Sequence, residues 1–121
     1  MTEMEKQMAQ MLVPEEMLEH FDIVSIVHKS EEYIIRLEEK SNTIPDTMEW
    51  KGRAVLDGFC RPIELQTFPI KGEAVYVHLY RRRWKERGGG KRNYKNQYQF
   101  NETGMKATRE FGAFLKEAFR D

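Results

Sequence analysis

Residues 75–80 read Val-Tyr-Val-His-Leu-Tyr, then pass without interruption into Arg81-Arg82-Arg83-Trp84-Lys85. Apolar side chains at 75, 77 and 79 alternate with larger polar-tipped ones at 76, 78 and 80. A period of two reads as a strand. The basic run at its end places three consecutive guanidinium groups where the sheet meets solvent. Both the fold and the binding chemistry of the chain have to accommodate this segment.

The ends of the chain follow a different period. Met4, Met8, Met11 and Leu12 recur at helical spacing, and Pro14 opens a second short helix through Glu15, Glu16, Met17, Leu18 and Phe21. Proline pushes the residue before it out of the helical region, so a bend separates the two pieces. Residues 1–12 are expected to form a loosely attached helical extension, and residues 13–121 the domain proper. At the other end Phe111, Phe114, Leu115, Ala118 and Phe119 form one stripe of an amphipathic helix starting near Met105, with Thr103 or Thr108 as its cap.

Between the helices, residues 22–28 and 32–38 are rich in β-branched and aromatic types and read as a hairpin, with Tyr33, Ile35 and Leu37 on one face. The polar stretch 41–52 reads as a loop, and Ala54-Val55-Leu56 as a short helix or turn ending at Gly58. Ile63, Leu65 and Thr67 alternate before a reversal at Phe68-Pro69-Ile70-Lys71-Gly72. A strand of about ten residues then runs into the arginines, turns at the glycines 88–90, and returns through Tyr94, Tyr98 and Phe100 on one face. The expectation is a single α+β domain: an N-terminal helical segment, an antiparallel sheet with a projecting basic β-hairpin, and a C-terminal amphipathic helix.

Charge sharpens the functional reading. Twenty Lys and Arg balance twenty Asp and Glu over 121 residues, yet residues 1–50 carry 4 − 12 = −8 and the remainder 16 − 8 = +8. Between Lys71 and Lys95 lie Lys71, Arg81, Arg82, Arg83, Lys85, Arg87, Lys91, Arg92 and Lys95 against Glu73 and Glu86, which is 9 − 2 = +7. A hairpin sets Arg81–Arg87 beside Lys91–Lys95, concentrating cations on a finger that fits a groove or tracks a phosphate backbone. Guanidinium forks match phosphate oxygens and the guanine edge, and Trp84 and Tyr94 either stack on bases or brace the finger's base. The bland alternative is a solvated strand edge guarded by charge. RNA is a further polyanion option if Tyr76, Tyr80 and Trp84 stand on an exposed sheet.

Other chemistries find little purchase. One cysteine, Cys60, leaves no intramolecular disulfide and reads as a buried structural thiol, while His20, His28 and His78 lack metal-ligand spacing. Residues 88–91 lack the spacing and hydroxyl of a phosphate loop. Asp22, Glu38, Asp46, Glu49 and Asp57 show no pattern for a catalytic metal. No enzyme activity, cofactor or metal is expected. No apolar run reaches the roughly 18 residues of a membrane span and no signal pattern opens the chain, so a cytoplasmic location is expected.

Residues 65–84, with the Pro69-Ile70-Lys71-Gly72 turn and the Arg81-Arg82-Arg83-Trp84 run, resemble the N-terminal region of bacterial insertion-sequence transposases. Residues 11–21 resemble its opening helix and residues 105–116 its closing helix. The resemblance implies a non-catalytic module that binds the ends of a mobile element, with Arg81, Arg82, Arg83 and Trp84 as the matching positions. It implies double-stranded DNA as ligand, and a separate or downstream transposase catalytic chain, or a second copy, as partner. The paired zinc-ribbon cysteines of the longer relatives are replaced by Lys85, Glu86 and Arg87, and their acidic-triad domain is absent. The competing reading is a protein-interaction module, docking an acidic partner on the hairpin and others on the Met and Phe stripes.

Overall fold

A computed structural model describes residues 1–49 and 51–120. Helix α1 spans Glu3–Leu12 and α2 Glu15–Leu18. Six strands follow: β1 Phe21–Lys29, β2 Glu32–Glu39, β3 Ala54–Phe59, β4 Ile63–Ile70, β5 Glu73–Tyr80 and β6 Arg82–Glu86; α3 spans Arg109–Ala118. The main sheet has the order β1-β2-β5-β4, and β3 with β6 forms a separate two-stranded ribbon.

Two hairpins build the main sheet. Both turn on two residues with positive φ, Ser30 (48°) with Glu31 (65°), and Lys71 (49°) with Gly72 (78°). Such turns twist in the same sense as the strands they join. The hairpins meet along β2 and β5, which run parallel, so the sheet is antiparallel except at its centre.

The alternation that fixed β5 also fixes its faces. Val75, Val77 and Leu79 are fully buried with Ile35, Leu37, Leu65 and Phe21. The helices cover this face: Ala9, Val13 and Met17 join the same core. Residues 1–12, expected as a loose extension, are thus anchored by Ala9, and a reciprocal capping box between Thr2 and Glu5 fixes the helix start. Tyr76, His78 and Tyr80 are only half-buried on the opposite face, where Arg36 lies 4.0 Å over the Tyr80 ring.

Several expectations are corrected. Residues 54–56 are part of strand β3, because their backbone pairs with β6. The long strand through the arginines breaks at Arg81: β5 stays in the main sheet, and β6 leaves to pair with β3. Residues 94–100 form no strand: among the described residues their backbone bridge to the free edge of β6 is at Tyr94, which exchanges two 2.8 Å hydrogen bonds with Trp84. Tyr98 and Phe100 nonetheless share a face, stacked on each other and packed edge-on to Phe21. Phe21 begins β1 rather than ending α2.

Helix α3 starts at Arg109, after an N-cap at Thr108 whose hydroxyl reaches Thr67 instead of capping. Phe111 is buried, whereas Phe114 and Phe119 are 55% and 81% exposed, so only part of the stripe is covered. Cys60 is half-buried rather than buried. Trp50, within the expected loop 41–52, lies outside the described residues.

Candidate nucleic-acid interface

The basic ribbon is held to the main sheet by one buried carboxylate. Glu39, at the end of β2, is 1% exposed. It accepts hydrogen bonds from the Arg82 backbone N–H (2.9 Å), the Asn96 side-chain amide (3.1 Å) and the Tyr98 hydroxyl, and its own carbonyl accepts from Arg82 Nε (2.8 Å). Burial, reinforced by the hydrogen bond to Glu39, pushes the Tyr98 phenol well above its usual pKa.

This arrangement reassigns the arginine run. Arg81 Nη1 donates to the Asn96 carbonyl and the Gln97 side chain, both at 3.1 Å. Arg82 is bonded to Glu39 as above, with its guanidinium 5.6 Å over the Phe59 ring. Arg83 Nε donates to the Asp57 carbonyl at 2.8 Å and lies 3.4 Å from the Asp57 carboxylate. The Arg82 guanidinium donates to the Glu39 main-chain carbonyl, a charged hydrogen bond worth about 1.5–3 kcal/mol, while the Arg82 backbone N–H holds the buried carboxylate. Arg82 is thus engaged within the fold through both its main chain and its side chain. Arg81 and Arg83 are half-buried and similarly engaged.

Trp84 is 6% exposed, its ring enclosed in the ribbon opposite Leu56. It braces the ribbon and presents no face for stacking. Lys71 is exposed, but it sits in the β4–β5 turn at the far end of β5. Eight residues at about 3.3 Å each keep it out of the basic cluster.

Of the cations between Arg81 and Lys95, the exposed ones are Lys85, Arg87, Lys91, Arg92 and Lys95. The Trp84–Tyr94 bridge brings the segments carrying them side by side, and Gly88, with φ of 73°, allows the tight reversal after Arg87. Arg92 lies 4.8 Å over the Tyr94 ring, and Lys85 lies 3.9 Å from Asp57. The ribbon adds cations that sequence reading missed. A single 3-10 turn at Lys51–Arg53 leads into β3, and the Arg87 backbone N–H donates to the Arg53 carbonyl at 2.8 Å. Lys51 pairs with Asp46 at 2.6 Å, which holds the Asp46 carboxyl below its usual range. The pairing of β3 with β6, invisible in a linear scan, was the missing signal. Residues 51–59 and 82–95 together carry nine basic and two acidic side chains, 9 − 2 = +7.

Lys85 and Glu86 of β6 pair with Val55 and Ala54 of β3, so ladder bonds hold this strand. Among the described residues no group of three or more His, Cys, Asp and Glu side chains is placed to bind a metal ion, and no helix is long and apolar enough to cross a membrane. No family model, curated protein or solved structure matches the chain.

Proposed function

We propose that this chain is a non-catalytic DNA-binding module of an insertion-sequence transposase, gripping the ends of a mobile element through the β3–β6 ribbon and its glycine-rich tip. The observation that carries this reading is the row of exposed cations on the ribbon and tip: Lys85, Arg87, Lys91, Arg92 and Lys95. A two-stranded antiparallel ribbon is narrow enough to enter a major groove, and cations on its rim reach the flanking phosphates. The arginine run that resembles the transposase motif acts as scaffold for these residues, tying the ribbon to Glu39. Strand cleavage and transfer belong, in this reading, to a catalytic domain supplied elsewhere.

Fluorescence anisotropy with duplex DNA at two salt concentrations tests it. Binding should weaken with salt, and the triple variant K91A/R92A/K95A should bind less tightly at unchanged thermal stability. Its log–log salt slope should fall by about 0.9 for each phosphate that is no longer neutralised. Undetectable or salt-insensitive binding would refute the proposal.

One observation favours a second, protein-docking reading. Met8, Met11, Leu12 and Ile70 line a shallow apolar depression, and Phe68 nearby packs against the exposed Phe114. Under that reading M11S/F114S abolishes capture of a partner and leaves DNA affinity unchanged.

A further inference from the structure

The two edges of the main sheet are treated differently. On the β4 edge, residues 106–108 lie alongside: Gln66 N–H donates to the Lys106 carbonyl (3.0 Å) and Thr108 N–H to the Gln66 carbonyl (2.9 Å). On the β1 edge, among the described residues, no backbone hydrogen bond joins residues 21–29 to anything but β2. β1 is nine residues long, and its outward valines Val24 and Val27 are 43% and 47% exposed. A long edge with apolar side chains is a template for a further strand.

The strand carries its own complement. The β1–β2 register is interrupted between Ile23 and Ser25 by a bulge at Val24. Without it, Asp22 and Lys29, seven residues apart, would point to opposite faces. The extra residue shifts the parity, so that Asp22 (opposite Glu38), Ser25 (opposite Arg36), Val27 (opposite Ile34) and Lys29 (opposite Glu32) all stand on the face away from the helices. Ile23 and Ile26 point to the helix-covered core.

An antiparallel copy of the same strand, placed about a two-fold axis through Ile26, then matches at every position. Asp22 of each copy meets Lys29 of the other. Ile23 meets His28, the bulged pair Val24-Ser25 meets Val27, and Ile26 meets itself. Like side-chain faces coincide throughout, because each copy's bulge lies opposite the regular half of the other. The charges agree as well. Among the described residues, Asp22 and Lys29 have no side-chain partner in either an ion pair or a hydrogen bond; the Glu38 carboxylate across from Asp22 is already paired with Arg36 at 3.0 Å, so the free charges on this edge are those of Asp22 and Lys29. Bulges and charges ordinarily blunt an edge, but here their placement is self-complementary.

We propose that β1 is the docking edge for a second copy of this chain, joined antiparallel through Ile26 into one continuous sheet with four strands from each copy. The two-fold axis stands perpendicular to the sheet, so both sets of helices lie on one face and both open faces on the other. The proposal is independent of nucleic-acid binding.

Light scattering after size exclusion, on the full chain without DNA over a wide concentration range, tests it. The chain should pass from monomer to dimer as concentration rises. V27K should shift the population to monomer. D22K alone, which sets like charges against each other twice across the axis, should raise the dimer dissociation constant about tenfold or more. The double variant D22K/K29D restores opposite charges and should recover dimerisation. Circular dichroism confirms that each variant is folded, and the charge swap involves only exposed side chains. A monomer at all concentrations overturns the proposal. So does a dimer indifferent to both V27K and D22K, including one that M11S/F114S dissolves, or a D22K defect that K29D fails to rescue.

Discussion

A carboxylate 1% exposed, as Glu39 is, persists in a folded chain only when its lone pairs are occupied. Arg82, Asn96 and Tyr98 occupy them, and these three residues come from segments distant from Glu39 in sequence. Tyr98 makes this cluster sensitive to pH. Its phenol is held neutral in the folded state beyond its ordinary range near 10, so its contribution to stability is complete at neutral pH and declines as pH rises above about 10. Tyr98→Phe should cost about 1–3 kcal/mol at neutral pH by leaving the buried carboxylate short of a donor. Urea unfolding at pH 7 and above pH 10 checks this: the gap between wild type and variant should narrow in alkali. None of this was legible in the sequence, where Glu39 is one acid among twelve in an acidic half.

At the scale of elements, two local features have measurable consequences. The β1–β2 turn holds Glu31 at φ of 65°, a region that costs a side-chain-bearing residue roughly 1 kcal/mol or more. Glu31→Gly supplies the residue such turns prefer and should raise stability by up to about 1 kcal/mol, read as a higher urea midpoint at unchanged slope. Helix α3 seats Gly112 against the Glu102 side chain, where an added Cβ would stand 2.4 Å from Glu102 Cβ. Gly112→Ala should therefore destabilise by about 1–3 kcal/mol despite alanine's better helix propensity, and the thermal midpoint should fall accordingly. The hairpins and both long helices were legible because local periodicity dictates them. The identity of β3 was not, since Ala-Val-Leu is equally compatible with a turn, and only pairing with β6 decides it.

For the whole molecule, the separation of charge into −8 and +8 along the chain becomes a separation of roles. The acidic first part supplies α1, α2 and the β1–β2 hairpin, and the exposed cations Lys85, Arg87, Lys91, Arg92 and Lys95 gather on the ribbon and its tip. The N-terminal helix packs on the domain, since Ala9 lies in the core and Leu12 packs against it. Deleting residues 1–12 should cost about 2–4 kcal/mol, the scale of uncovering one large core position, rather than leaving stability unchanged. Comparing guanidinium unfolding of the full and shortened chains measures the difference.

The sequence by itself determined the α+β class, the buried face of β5, the two hairpins of the main sheet and the concentration of cations around residues 81–95. Each is a local property, set by side-chain alternation, turn chemistry or composition within a few residues. Only the tertiary structure decided how those cations are deployed. Arg81, Arg82 and Arg83 read as contacts for phosphates or bases, yet they are engaged by Asn96, Glu39 and Asp57. Trp84 turns inward, and Arg53 arrives beside Arg87 from the 3-10 turn that leads into β3. The physical reason is that a strand's period states which side chains share a face, but not which other strand will take its open backbone groups. The β6 backbone pairs with β3, and the assignment of each arginine follows from that long-range choice.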